Sequence, residues 1–239
     1  MEQQADLPEL GRGNAPKTLR HCILSSRAAR MDPGERPQPK PTVAVTEPPL
    51  TLTMPTWVPR EVDRLPRRIP EIEDRMRAVI RFSRLNYEHE TGGPFAAGVF
   101  ERDGGRLVAM GVNRVVASGC SSAHAEVMAM SLAQRALGGW DLGGPGLPAH
   151  QLVVNWRPCA MCYGAVLWSG VRSLVVAGSG PELEKLTGFD EGPLRADWDH
   201  ELERRGIEVV DGVLRDEACE AFRAFRDSEG FVYNARQGV

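Results

Sequence analysis

His124, Cys159 and Cys162 are residue types that bind transition metals, and Glu126 places a carboxylate beside the first of them in the run His124-Ala125-Glu126. One imidazole and two thiolates fill three of the four tetrahedral positions that zinc favours, and three protein ligands with an open fourth position describe a catalytic site rather than a structural one. Bound zinc lowers the pKa of water to roughly 7, and an unligated carboxylate next to it can move the proton; Glu126 is the candidate for that shuttle. The two thiols stand in Pro158-Cys159-Ala160-Met161-Cys162. A lone C-x-x-C is also the pattern of a redox pair or half of a structural zinc site, but no second C-x-x-C is present and the His-Ala-Glu partner is.

The spacing constrains the elements that carry these groups. Residues two apart on a helix point to nearly opposite sides, so His124 and Glu126 share one site only from a helix start. Ser121 and Ser122 offer N-cap hydroxyls, and the mostly apolar run that follows ends at Gly138 and Gly139. Pro158 suits a first helical position, with Cys159 and Cys162 following at i and i+3 on one face. Helix N-termini favour negative charge and therefore the thiolate form of both cysteines. Two helix starts are expected to converge on one metal.

The 239 residues divide unequally. Most of the 18 prolines lie in the first 70 residues, with one aromatic, Trp57, and no sustained apolar period. Residues 1–69 therefore read as a Pro-rich disordered extension and residues 70–239 as the folded domain with a C-terminal tail. The segment 17–30 is basic and acid-free, which leaves a transit peptide open. No apolar run approaches the roughly 18 residues that span a bilayer, and the expected location is the cytoplasm. Five cysteines, two of them assigned to metal, leave Cys22, Cys120 and Cys219 as reduced thiols rather than a disulfide framework. A net charge of −3 and a pI near 6.0 argue against a strong phosphate-binding surface.

Beyond residue 70 the pattern predicts a helix over 71–87, a hairpin of strands 95–101 and 106–112 around Asp103-Gly104-Gly105, the His124 helix, a strand at 151–156, the cysteine helix over 159–168 and a strand at 171–177. Short helices near Leu183 and Leu202, a strand at 207–213 and a helix over 216–226 complete it. Strand-helix alternation after an initial hairpin predicts an α/β fold, a three-layer α/β/α sandwich.

Residues 72–230 resemble the cytidine deaminase-like superfamily, and within it the guanine deaminase and bacterial nucleoside deaminase branch. The resemblance rests on Pro94-Phe95-Ala96-Ala97-Gly98-Val99, Asn113, His124-Ala125-Glu126-Val127, the Pro158 to Cys162 motif and Gly164-Ala165-Val166-Leu167-Trp168. The pairing H-x-E with P-C-x-x-C is the signature of zinc nucleobase deaminases. It implies a central mixed five-stranded sheet, Zn2+ on His124, Cys159 and Cys162, and Glu126 as proton shuttle. It further implies that Asn113, Phe95 and Trp168 contact or enclose the base, that the backbone N–H of Ala125 donates to it, and that Glu191, in Gly188-Phe189-Asp190-Glu191, is a second acid near the substrate. Asn113 could alternatively hold a turn, and Phe95 and Trp168 could be core aromatics.

Arg157 departs from the family, which usually has glutamate there, and is expected to read an anionic or carbonyl-bearing substrate or to make a different contact behind the metal ligands. The activity implied is hydrolytic deamination of a free nucleobase or nucleoside, with a guanine-type purine favoured. The alternatives are a tRNA adenosine deaminase, a cytosine or amino-triazine deaminase, and a non-catalytic zinc scaffold subunit. Guanine deaminases form dimers with exchanged C-terminal segments, so a homodimer is expected, with Tyr233 closing a pocket.

Overall fold

The computed structural model describes residues 51–236. In chain order the elements are α1 (Trp57–Val62), α2 (Ile72–Glu88), β1 (Ala96–Glu101), β2 (Leu107–Val112), α3 (Val115–Ser118), α4 (Ala125–Leu137), β3 (His150–Val154), α5 (Ala160–Ser169), β4 (Ser173–Val176), α6 (Glu182–Thr187), α7 (Trp198–Glu203), β5 (Glu208–Val210) and α8 (Arg215–Asp227). The five strands form one sheet in the order β2-β1-β3-β4-β5. β1 is antiparallel to β2 and β3, while β3, β4 and β5 run parallel, so the sheet is mixed.

Strand periodicity makes the three layers. Successive side chains of a strand point to opposite faces, so Leu152 and Val154 pack with α4, α5 and α7, while Val153 between them packs with α2 and α8. On the first face Ala125, Ala129 and Ala133 of α4 are fully buried against Ala97 and Val99 of β1. Those alanines let the helix lie close, and Gly111 of β2 closes the approach entirely: a Cβ there would sit 2.4 Å from the Ala125 carbonyl oxygen and 2.4 Å from the Ala129 amide nitrogen. On the second face Met76, Val79 and Phe82 of α2 meet Phe222 of α8, all buried.

Three expectations are corrected. Residues ahead of residue 70 belong to the folded core: α1 packs into it, with Val58 buried and Trp57 tilted against Phe82 at 5.7 Å. The proline content concealed it, because Pro59 sits in the first turn of a six-residue helix, where its missing N–H costs nothing. Of the expected extension, residues 1–50 lie outside the described residues. The serine caps on α4 are absent, since His124 itself is the N-cap residue with extended backbone and no side-chain cap bond. Pro158 likewise stands before the N-cap of α5, which is Cys159. The short helix α3 has no counterpart in the sequence reading.

Candidate active site

Both metal-binding segments use the same local geometry. His124 and Cys159 occupy N-cap positions with ψ of 156° and 170°, so each side chain turns back over the first helical turn it begins. Cys162 is the third residue of α5, where an N-cap side chain naturally reaches. The sheet sets the two helix starts facing each other. The ligand atoms of His124, Cys159 and Cys162 lie within 4.8 Å of one another, and Cys159 Sγ is 3.5 Å from His124 Nδ1. A tetrahedral ion with ordinary Zn–S and Zn–N bonds needs a sulfur to nitrogen separation of about 3.6 Å. The donors therefore fit zinc in kind and in spacing.

Electrostatics of the metal-free cluster point the same way. Contact with Cys162 and with the His124 imidazole pulls the Cys159 thiol down to about 4, despite burial. The Cys162 thiol is pushed well up, first by its contact with Cys159 and then by burial. Burial opposes a charged His124, but the contact with Cys159 and the negative groups around it outweigh that and raise its pKa. Metal binding to such a cluster would displace the protons its ligands still hold.

Glu126 is the second residue of α4 and is buried. Burial, then the Cys159 charge, raise its pKa above the usual carboxylate range, which suits a group that must hold and release a proton. Glu191 reaches the same place from the loop after α6, because its carbonyl accepts a hydrogen bond from the Ala160 N–H at 3.1 Å in the first turn of α5. Burial and the Cys159 and Glu126 charges push its carboxyl up to about 8. The second acid predicted from the motif thus lies in the site.

A cavity of about 420 Å³ opens over these groups, at the small end of the range for small-molecule pockets. Its walls include Phe95, Phe189, Arg157 and Tyr233. Phe189 meets Phe95 edge-on at 5.0 Å and Tyr233 edge-on at 5.1 Å, giving an aromatic enclosure. Asn113 donates from Nδ2 to the Tyr233 hydroxyl, and burial raises the Tyr233 pKa, so the phenol keeps its own hydrogen. The tail is tied down by Asn234, which accepts from the Asp190 N–H at 2.9 Å and donates to the Gly188 carbonyl at 2.9 Å. Arg157 lines the cavity, and its buried Nε has no partner among the described residues.

One expected contact falls elsewhere. Trp168 is 83% exposed and lines a shallow outer groove with Val127 and Gln134. It lies six residues beyond Cys162, about 9 Å up the helix from the metal end. Ala125, the first residue of α4, stands between the wall residues His124 and Glu126, and its N–H has no acceptor within the helix. Phe189 and Asn234 were missed; each is the neighbour of a residue that the motifs did single out, Asp190-Glu191 and Tyr233.

A sandwich with a three-donor metal site at paired helix starts and an unligated acid beside it defines a zinc-dependent deaminase. Residues 70–178 match the "Cytidine and deoxycytidylate deaminase zinc-binding region". The chain is 32% identical over 136 residues to the guanine deaminase of Bacillus subtilis, covering 57% of this chain and 81% of that one. It is 34% identical over 121 residues to the tRNA-specific adenosine deaminase of the same organism, covering 51% of this chain and 69% of the other. A solved guanine deaminase from Nitrosomonas europaea superposes with a TM-score of 0.71 at 47% identity, over 75% of this chain and 97% of that one. The chain belongs to the cytidine and deoxycytidylate deaminase zinc-binding family.

Proposed function

We propose that this protein deaminates a guanine-type purine, as free base or nucleoside, with release of ammonia. The observation that carries the reading is the enclosure of buried Glu126 and half-buried Glu191, neither of them among the metal donors, under a lid of Phe95, Phe189 and Tyr233, a space with flat apolar walls and two proton-handling acids at its floor. Likeness to two guanine deaminases supports the purine. Zinc, when bound by His124, Cys159 and Cys162, supplies the Lewis acidity that makes water nucleophilic near neutral pH. Glu126 takes the two protons of the attacking water in turn, returning the first to a ring nitrogen and the second to the departing amine. A C–O bond thereby replaces the C–NH2 bond, and ammonia leaves. Glu191, protonated near neutrality, is suited to donate to a base heteroatom or to the leaving group. Phe95 stacks on the base, and the Asn113–Tyr233 pair meets its polar edge with the free phenol hydrogen. Arg157 is assigned to an acceptor on the base such as a ring carbonyl, since it lines the cavity as a fixed cation.

No helix among the described residues is long and apolar enough to cross a membrane. We place the protein in the cytoplasm, in keeping with a site that needs reduced thiols. We also infer a homodimer with exchanged C-terminal segments, in which Tyr233 closes the pocket of one or the other subunit; deletion of residues 229–239 should then lower both activity and oligomeric mass, and no change in either would count against both ideas. The substrate is tested by ammonia release from guanine, adenine, cytosine, their nucleosides, amino-triazines and tRNA. Release from guanine or guanosine above all others is expected. Preference for tRNA or for a pyrimidine would replace this reading.

A further inference from the structure

The turn carrying Phe95 and the strand end carrying Asn113 are far apart in sequence, and one amide joins them. Asn86, in the last turn of α2, is fully buried. Its Nδ2 donates to the Gly93 carbonyl at 2.8 Å and to the Asn113 carbonyl at 2.9 Å, using both hydrogens. Its Oδ1 accepts from the Thr91 hydroxyl at 2.8 Å, and that hydroxyl accepts from the Trp57 indole N–H at 3.1 Å. Between the two segments the chain passes with no room to spare: a Cβ on Gly92 would lie 2.1 Å from the Asn113 oxygen and 2.7 Å from Asn86 Nδ2. A second buried amide, Asn155, grips the far side of the turn, donating to the Pro94 carbonyl at 2.9 Å and accepting from the Ala96 N–H at 3.0 Å.

We propose that Asn86, held by Thr91 and Trp57, is a positioning residue that fixes Phe95 and Asn113 relative to each other across the base-binding pocket. An element ahead of the matched family region, α1, thereby takes part in substrate recognition. Only a side chain with two donors on one atom can bridge two carbonyl oxygens and still accept a third bond, which is the capacity of an amide. An aspartate of the same shape would set a negative charge against both carbonyls. The indole N–H occupies the Thr91 hydroxyl as an acceptor, which leaves its one hydrogen for Asn86, with Oδ1 at 2.8 Å and the backbone carbonyl at 3.0 Å as acceptors. The stacked Trp57 and His89 rings, 5.4 Å apart, hold the indole. The inference rests on the assignment of Phe95 and Asn113 to the base, and the experiment separates the two.

The zinc-loaded full chain is compared with Asn86→Asp, Thr91→Val, Trp57→Phe and Asn113→Ala, measuring kcat and KM for the best substrate, bound zinc and Tm. Trp57→Phe keeps an aromatic ring on the core, and Thr91→Val keeps the shape of the side chain, so both remain testable if Asn86→Asp fails to fold. Expected is a KM raised about tenfold in Asn86→Asp and about threefold in Trp57→Phe and Thr91→Val. Zinc stays stoichiometric and kcat stays within about twofold of the parent, the signature of lost binding rather than lost chemistry. Lowered Tm with parental KM in Trp57→Phe and Thr91→Val would make the network a core feature only and overturn the proposal. Unchanged KM in Asn113→Ala would instead overturn the underlying assignment of Asn113 to the base.

Discussion

Substitution of Gly111 by alanine should disable the active site without touching a residue in it. The new methyl would stand 2.4 Å from both the Ala125 carbonyl oxygen and the Ala129 amide nitrogen, and 2.9 Å from the Ala129 Cα. Ordinary contact begins at 3.4 Å, so β2 and α4 must separate by about 1 Å, and because every atom struck is backbone no rotamer change relieves the clash. The displaced turn is the one that begins with His124 and carries Glu126. Metal–ligand distances tolerate about 0.2 Å and catalytic geometry about 0.5 Å, so a shift of about 1 Å predicts a fall in zinc affinity and a loss of about 100-fold in kcat/KM. Overpacking of this kind costs about 1–3 kcal/mol, or roughly 3–9 °C in Tm for a domain of this size. Zinc affinity by chelator competition, ammonia release and thermal unfolding would be measured beside Gly139→Ala, at the far end of α4, where a Cβ meets nothing within 4 Å. Parental zinc affinity and turnover in Gly111→Ala would refute the claim that this strand-to-helix contact places the site.

Glu191→Gln tests the second acid through pH. The folded-state pKa of Glu191 is raised to about 8, so its contribution is fully present below its unfolded value of about 4.3 and is lost as pH rises towards 8. The metal-free parent should therefore lose Tm relative to metal-free Glu191→Gln between pH 5 and pH 8; parallel curves would show that Glu191 is not held in its neutral form. Tyr233→Phe removes the hydroxyl that Asn113 bonds and should raise KM about fivefold to tenfold with little change in kcat; an unchanged KM would remove Tyr233 from substrate recognition.

The metal site was legible because its chemistry is local: a His, a Glu two residues on and a C-x-x-C demand helix starts, and the fold supplies them at the N-caps of α4 and α5. Strand boundaries are close for β1 and β2, where turn glycines mark the hairpin, but of the strand expected over 207–213 only Glu208–Val210 pairs as β5, since Gly212 with φ of 85° leaves the extended conformation. What local pattern cannot encode is which distant segments meet. Asn86 has no motif, and its role follows from the meeting of α2 with two loops. Trp57 falls in the proline-rich stretch, because a six-residue helix carries too short a period to detect and is stabilised mainly by tertiary contact. Trp168 failed for the opposite reason: a motif residue was read as a wall of the site, while helix rise carries it to the outer face.

Glu126→Gln in the zinc-loaded protein, assayed for bound metal and for ammonia release from guanine in the same preparation, tests the central claim most directly. The account predicts full zinc occupancy, because Glu126 is not among the three donors, and a turnover reduced by at least about 1,000-fold, within the range of general acid–base catalysis. Zinc retained with turnover retained would show that the proton moves through another group, and zinc lost would show that Glu126 serves the metal instead.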